Sequence, residues 1–589
     1  MKDNTKGGKD MARTSSVVAV VGLGSVGGTL LGVLHAAGHD VVGVDCELDM
    51  LARTDRRMKA AEAVAGWDGG SYTLTNEMAA VGQADVVIEA LPEDLPLKAD
   101  ALRCLNSVCP EHTVLVSTTV SLSLTRLAIE SGRPARTLGL RFLRPPAPGA
   151  SFESVRTAMS CDDAVAVLED LVSGLELRPE TIGARPGGDA TALVYAYLNR
   201  ALSMVEHGHV GQDTVDTAMR LGCGLPAGPL RFLDEVGLDS FHSALVDLRA
   251  RTGDDVFRPT PLLNSMIRSG ALGRKSGRGF YTYDDLGNLS ARPGSCRTTG
   301  VPFPVRRVGI VGSGTMARGI AEVTAAAGLP TVLVARSRAK ADLALETVEG
   351  SLVRAVRRGK ITADQKVTAL ALIEGTDSHS PLGDCDMVIE ATAEDLTLKR
   401  SVFAMLGSVC KPGALLATTT SSLSVTACAQ SSGRSRDVLG LHFFNPVPAM
   451  KLVELVRTTA TGDDVLATAH AFCERLGKTV VECPDRAGFI VNYLLFPYLA
   501  DAIRLLDRHD VDVEQTDAAV ERGFGYPMGP FALLDGIGLD VCLAILRHLH
   551  RQFPGPDYSP PQLLEHMVAQ GYLGRKNRRG FRRAPTRPA

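Results

Sequence analysis

One pattern occurs twice in this chain of 589 residues, and the repetition constrains the fold more than any local motif does. Val17-Val18-Ala19-Val20-Val21 runs straight into Gly22-Leu23-Gly24-Ser25-Val26-Gly27, and Arg307-Val308-Gly309-Ile310-Val311 runs straight into Gly312-Ser313-Gly314-Thr315-Met316-Ala317. The glycines are 290 positions apart. From Glu89-Ala90 and Glu390-Ala391 onward the offset is 301, so the second stretch carries eleven extra residues in between. That offset persists: Glu93 through Lys98 matches Glu394 through Lys399, Thr118-Thr119 matches Thr419-Thr420, and Gly273-Arg274-Lys275 matches Gly574-Arg575-Lys576. A tandem duplication accounts for all of these, so one architecture is expected to be built twice.

The opening run of β-branched and small apolar residues suits a strand buried on both faces of a parallel sheet. A glycine turn, a helical stretch to Gly38 and the strand Val41-Val42-Gly43-Val44 ending at Asp45 complete a dinucleotide-binding βαβ unit. In such a unit Gly22, Gly24 and Gly27 let the backbone approach a pyrophosphate at a helix N-terminus, and Asp45 takes the ribose hydroxyls. The plainer reading is a structural glycine turn. In the second unit Gly312, Gly314 and Ala317 hold the equivalent places, but the strand Thr331-Val332-Leu333-Val334 runs on into Ala335-Arg336-Ser337-Arg338. Without a carboxylate to repel a 2′-phosphate, and with two arginines to pair with one, this copy is expected to favour NADP(H), while the first fits NAD(H). The alternative for Arg336 and Arg338 is a solvated loop.

Strands and helices alternate up to about Arg185 and Arg486, and the pattern is helical beyond. The expected fold class is α/β plus all-α: two tandem copies of a Rossmann-type doubly wound parallel sheet, each followed by a helical domain. The expected division is a disordered tail over 1–16, a Rossmann domain over 17–184, a helical domain over 185–283 and a linker over 284–304. A second Rossmann domain over 305–485, a helical domain over 486–582 and a tail over 583–589 follow. A net charge of −3 gives no electrostatic footprint for nucleic acid. Twelve cysteines without a CxxC pair point to reduced thiols and no metal site, the first sixteen residues lack a signal-peptide core, and no apolar span of about 20 residues would cross a bilayer. A cytoplasmic protein is expected.

Chemistry concentrates in Leu441-His442-Phe443-Phe444-Asn445-Pro446-Val447-Pro448, followed by Glu454. An imidazole titrates near neutral pH, and a carboxylate on its far nitrogen fixes its tautomer, which suits proton transfer at an alcohol oxygen. A buried histidine capping a turn is the alternative. Together with Gly488-Phe489-Ile490-Val491-Asn492, Tyr526-Pro527-Met528-Gly529-Pro530-Phe531 and Gly574-Arg575-Lys576, in this order, the stretch resembles the L-3-hydroxyacyl-CoA dehydrogenases. The likeness covers nearly the whole chain, twice.

That resemblance implies an acyl thioester held between a Rossmann and a helical domain, with hydride passing between its C3 and a nicotinamide. It would make His442 the proton-transfer residue and Glu454 its partner. Ser421 and Asn492 would bond substrate oxygens, and Glu394 and Lys399 would border the nicotinamide and the thioester. The structural alternatives are a helix N-cap for Ser421 and a helix cap or bridge for Asn492. Ala335 departs from the family's acid.

In the first copy the equivalent positions hold Arg141, Val120, Arg144 and Thr191 in place of His442, Ser421, Asn445 and Asn492, and only Glu153 survives. An arginine does not shuttle protons in this pH range. The first copy is therefore expected to lack the chemistry and to serve as an intramolecular dimer partner; a diverged site in which Arg141 and Arg144 grip an anion is the second reading. The expected activity interconverts a 3-hydroxyacyl and a 3-oxoacyl thioester, carried by CoA or an acyl carrier protein, in the second copy and in the reductive direction. A dehydrogenase of a free hydroxy acid or sugar acid and a nicotinamide-binding scaffold are the competing readings, and the chain is expected to be a pseudo-dimer or a homodimer.

Overall fold

The structure is a computed structural model in which residues 16–65, 70–120, 122–179, 190–290, 300–509 and 511–582 are described. The expected tails, apart from Ser16, the boundary near Arg185 and residues 291–299 of the expected linker lie outside them.

The chain divides into two compact units that do not follow its order. One comprises Met1–Asn199, Arg231–Arg292 and Glu514–Gly525; the other comprises Arg200–Leu230, Pro293–Val513 and Tyr526–Ala589.

The first unit contains an eight-stranded sheet in the order β3-β2-β1-β4-β5-β6-β7-β8. Its strands are β1 (Val17–Val21), β2 (Asp40–Val44), β3 (Tyr72–Thr75), β4 (Val86–Glu89), β5 (Val114–Ser117), β6 (Thr137–Arg141), β7 (Ser151–Val155) and β8 (Arg178–Pro179). The first six positions carry the dinucleotide-fold order, in which β1 and β4 flank the point where the winding reverses and ligands bind. Only β6 and β7 run antiparallel. Alternation explains the apolar run of β1: Val18 and Val20 enter the core on one face of the sheet, and Ala19 and Val21 enter the core on the other.

The second unit repeats the sheet with β9 (Val308–Val311), β10 (Thr331–Val334), β11 (Ile373–Thr376), β12 (Met387–Glu390), β13 (Leu415–Thr418), β14 (Val438–Phe443), β15 (Leu452–Arg457) and β16 (Thr479–Pro484), in the corresponding order. The eleven extra residues have a physical identity. Between β10 and β11 the helix Arg338–Arg357 is followed by a second, Ala363–Ala371, opened by a capping box of Thr362 and Gln365. Between β2 and β3 the described residues hold the single helix Leu48–Ala65. The helices Val491–His509 and Leu539–Gln552 belong to this unit, as does the helix Gln212–Gly222 from the first copy, which packs on β15, β16 and Val491–His509. Among the described residues no helix is long and apolar enough to cross a membrane.

Candidate active site

Strands β14 and β15 run antiparallel in a register that sets His442 directly across from Glu454. The twelve-residue spacing is thus a cross-strand pair joined by the intervening turn, and the two side chains meet at 2.6 Å between His442 Nδ1 and Glu454 Oε2. A carboxylate only accepts, so Nδ1 carries the hydrogen and donates it, which leaves Nε2 as the nitrogen without a partner among the described residues. Glu454 is fully buried, and its other oxygen accepts from the backbone N–H groups of Ile490 at 3.0 Å and Val491 at 2.9 Å. These donors open the helix Val491–His509, whose N-terminal dipole favours the negative charge. The turn that aims them requires two consecutive left-handed residues, Gly488 (φ 77°) and Phe489 (φ 50°). The second costs a non-glycine residue about 1–2 kcal/mol, offset by the buried charge it helps to satisfy. Phe444 and Phe489 lie against the imidazole, with ring centroids at 4.6 and 5.5 Å.

Asn492, one residue further along the helix, donates from Nδ2 to the Ser421 carbonyl oxygen at 3.3 Å, and the Ser421 N–H donates to Glu394 Oε1 at 2.8 Å. His442, Glu454, Asn492, Ser421 and Glu394 are therefore brought together through one helix start and one loop. Ser421 does not cap a helix: Ser424 caps Val425–Ser431. The Ser421 hydroxyl has no hydrogen-bond partner among the described residues, and Ser421 and Glu394 both line a cleft of about 1470 Å³. Asn492 does bridge, from helix to loop.

Lys399 requires a correction. The structure places it behind the cleft wall, 1% exposed, with Nζ 2.9 Å from both oxygens of the buried Glu390 and 3.7 Å from Glu394. It lies 3.7 Å from Glu394 and is not among the residues that line the cleft. Glu390 also accepts from the Thr418 hydroxyl at 2.7 Å and the Thr392 N–H at 2.7 Å. In the first copy Glu89 is held the same way by Lys98 (2.8 Å), Ser117 (2.6 Å) and the Leu91 N–H (2.7 Å). A network present in both copies belongs to the architecture of the fold.

The cleft also takes in the second glycine loop. Gly312 adopts φ 134°, and a Cβ there would stand 2.4 Å from the Ala391 carbonyl oxygen, so no other residue fits. A Cβ on Gly314 would meet nothing within 4 Å, while Ala317 is fully buried against the sheet. Gly314 opens the helix Thr315–Ala326, which leaves space and N–H donors where a pyrophosphate is expected; the residues fit a dinucleotide. Arg336 and Lys340 line the same cleft beyond β10. Arg338 does not; its guanidinium is paired with Asp342 at 2.9 Å, so only the first of the two expected arginines faces the cleft.

The opposite wall comes from Leu539–Gln552, with Asp540, Ala544, His548 and Arg551 along one face, and His548 Nε2–H donates to the Ser422 carbonyl oxygen at 3.0 Å. Sequence reasoning missed this wall, although the recurrence of these positions every three or four residues signals a single helix face. His442, Glu454 and Asn492 are not part of the cleft wall proper; His442 is 5% exposed behind it.

The first copy shows what has replaced the dyad. Arg141 stands across from Glu153 in the same antiparallel register and pairs with it at 2.9 Å, while its Nε–H reaches the Thr119 carbonyl oxygen at 3.4 Å. The guanidinium is buried and committed, so Arg141 is not open to grip an external anion together with Arg144. Over the first glycine loop, Lys275 Cδ lies 4.0 Å from where a Cβ on Gly24 would be, with its Nζ on Asp239 at 2.6 Å. Asp45 accepts from the N–H groups of Leu23 (2.7 Å) and Glu47 (2.9 Å). Gly22 (φ 91°) and Gly27 keep their close contacts, a Cβ on Gly27 meeting the Gly22 carbonyl.

Comparison with known proteins agrees with this duplicated geometry. The NAD-binding domain of 3-hydroxyacyl-CoA dehydrogenase matches residues 17–182 and again 307–486, and the C-terminal domain of the same family matches 190–283 and 488–584. The 3-hydroxybutyryl-CoA dehydrogenase of Mycobacterium tuberculosis is 44% identical over 279 residues, which is 47% of this chain and 98% of the relative. The mitochondrial hydroxyacyl-coenzyme A dehydrogenase of Rattus norvegicus is 40% identical over 285 residues, again 47% of this chain and 90% of the relative. Over the whole length, a solved 3-hydroxybutyryl-CoA dehydrogenase of Escherichia coli K12 shares the fold, with a TM-score of 0.55 at 20% identity over 94% of this chain and 98% of that one. Two successive matches to both domains of one family leave a single conclusion: the chain belongs to the 3-hydroxyacyl-CoA dehydrogenase family, as a tandem duplication of it.

Proposed function

We propose that the second copy alone carries the chemistry, with His442 as the proton-transfer residue, NADPH as the preferred cofactor and reduction as the working direction. As a member of its family the chain is an oxidoreductase that interconverts 3-hydroxyacyl-CoA and 3-oxoacyl-CoA with a nicotinamide cofactor. The observation that carries the assignment to the second copy is the contrast of one cross-strand pair: His442–Glu454 there, Arg141–Glu153 in the first copy.

A dihydronicotinamide held along Gly312, Gly314 and Ala317 would supply a hydride for C3 of the oxoacyl group. The side chains manage the oxygen on that carbon. Protonated His442 donates from Nε2 as negative charge develops on the oxygen, and Glu454 stabilises the imidazolium beforehand and holds the Nδ1–H tautomer afterwards. The Ser421 hydroxyl is the second donor to the oxygen. Asn492 fixes the loop that presents it, through the Ser421 carbonyl. Arg336 meets the 2′-phosphate: it is exposed, lines the cleft and has no partner among the described residues, and Ala335 offers no repelling charge. The first copy acts as an intramolecular partner, a reading supported by the segments 200–230 and 514–525 belonging to units other than those of their own sheets.

The test is the initial rate of NADPH and of NADH oxidation with acetoacetyl-CoA. Turnover that prefers NADPH and is unaffected by Arg141→Ala is expected; turnover that depends on Arg141, or a preference for NADH, refutes the corresponding part.

A further inference from the structure

A turn of the first copy stands behind the carboxylate of the second. The helix Gln212–Gly222, in the compact unit of the second sheet, packs on β15, β16 and the helix Val491–His509, and ends at Gly222. A Cβ on Gly222 would stand 2.9 Å from Val491 Cγ2, closer than a Cβ approaches without something moving, and 3.0 Å from Leu452 Cδ2, a tight contact with the end of a longer side chain. Both neighbours bracket Glu454. Leu452 precedes it by two residues on the same face of β15, and Val491 gives its N–H to Glu454 Oε1. Burial, then the charge of Glu454, push the thiol of the following residue, Cys223, up to about 12, so the group that follows Gly222 is neutral.

We infer that Gly222 is a positioning residue for the second copy's His442–Glu454 pair: by presenting no side chain it seats the Gln212–Gly222 helix against Leu452 and Val491 and so holds the donors that cradle Glu454. The first copy, without chemistry of its own, completes the site of the second. The inference rests on the functional reading above and assigns part of that site to residues 200–230. A methyl group at 222 has no easy relief, because Val491 is β-branched, and its Cγ atoms sit one bond from a Cβ whose rotamer is fixed in a helix. Either the helix lifts off β15 or the Val491 N–H leaves Glu454 Oε1. Misplacement on this scale, about 1 Å, costs on the order of 100-fold in rate.

The experiment compares Gly222→Ala and Gly222→Val with Gly523→Ala in the full chain. Gly523 is the repeat-equivalent glycine, packed on Leu143 in the other unit, where no histidine faces the glutamate. With acetoacetyl-CoA, kcat is expected to fall roughly tenfold for Gly222→Ala and roughly 100-fold for Gly222→Val, with the NADPH dissociation constant within twofold of wild type. Gly523→Ala keeps kcat within twofold, and adding Val491→Ala to Gly222→Val restores most of the loss. If the valine variant does not fold, the alanine variant decides. Folded Gly222 variants with wild-type kcat, or an equal loss in Gly523→Ala, overturn the inference while the function stands. A wild type that turns over neither cofactor overturns the functional reading, and the positioning role with it.

Discussion

Replacing Glu454 by glutamine changes one oxygen into an NH2 group with almost no change in shape. The amide retains an oxygen to accept from Ile490 and Val491, and its NH2 then faces His442 Nδ1 at the 2.6 Å contact. That nitrogen must now accept, which moves the neutral ring's hydrogen to Nε2 and removes the negative charge beside the imidazolium. Loss of a charge-assisted hydrogen bond costs about 1.5–3 kcal/mol. Loss of the charge itself, at ~4 Å and an effective dielectric constant of 20, costs about 4 kcal/mol. The two overlap, and because Glu454 is fully buried no solvent screening reduces them. Together they amount to about 3–5 kcal/mol, or a kcat lower by about 10²- to 10⁴-fold. The assay is steady-state NADPH oxidation with acetoacetyl-CoA, with thermal melting and NADPH binding as controls, since the loop from Gly312 to Ala317 has no hydrogen bond to Glu454. A folded Glu454→Gln protein with kcat within threefold of wild type would refute the argument that this carboxylate organises the proton transfer.

Ala335→Asp, which restores an acid at the end of β10, is expected to shift kcat/KM from NADPH towards NADH by at least about tenfold; an unchanged ratio counts against Arg336 as the 2′-phosphate contact. Calorimetric titration with NADPH should find one tight site per chain, because β2 is followed by Asp45 in the first copy and β10 by Ala335 and Arg336 in the second, and two equivalent NADPH sites would contradict this. Arg141→His is expected to give no turnover in a His442→Ala background, because Val120 has no donor where the second copy has the Ser421 hydroxyl, and Thr191 lacks the side-chain amide of Asn492. Arg200 is held by Asp501 at 2.6 Å and Asp557 at 2.7 Å with its side chain 10% exposed; in Arg200→Met, Asp501 keeps Arg504 at 2.7 Å and half-exposed Asp557 returns to solvent. A loss of about 1–2 kcal/mol in urea unfolding is expected, and a change below about 0.3 kcal/mol would show the pairing to be inert.

Much of this site is legible in the sequence because it is written in local periods. His442 and Glu454 lie on adjoining antiparallel strands, so a turn of ordinary length brings them face to face. The glycine loops follow strands whose apolar runs announce burial on both faces. Lys399 was misread because a lysine nine residues after an acid gives no sign of whether its ammonium reaches a ligand or, as here, a buried carboxylate at the end of β12. Arg338 was misread because its partner, Asp342, depends on a helix starting at that residue. The placement of 200–230 with the second sheet has no local signature at all. Helix propensity at Gln212–Gly222 is the same whichever strands the helix covers, and only the tight fit of Gly222 against Leu452 and Val491 reveals the choice.

The most direct test of the account is the rate of acetoacetyl-CoA reduction by His442→Ala measured beside wild type and Arg141→Ala. A fall of about 10²- to 10⁴-fold, the ordinary contribution of a positioned general acid, with Arg141→Ala unchanged, is the predicted result. Retention of turnover by His442→Ala, or its loss in an Arg141→Ala protein shown to be folded, would contradict the claim that one copy of the duplication carries the reaction.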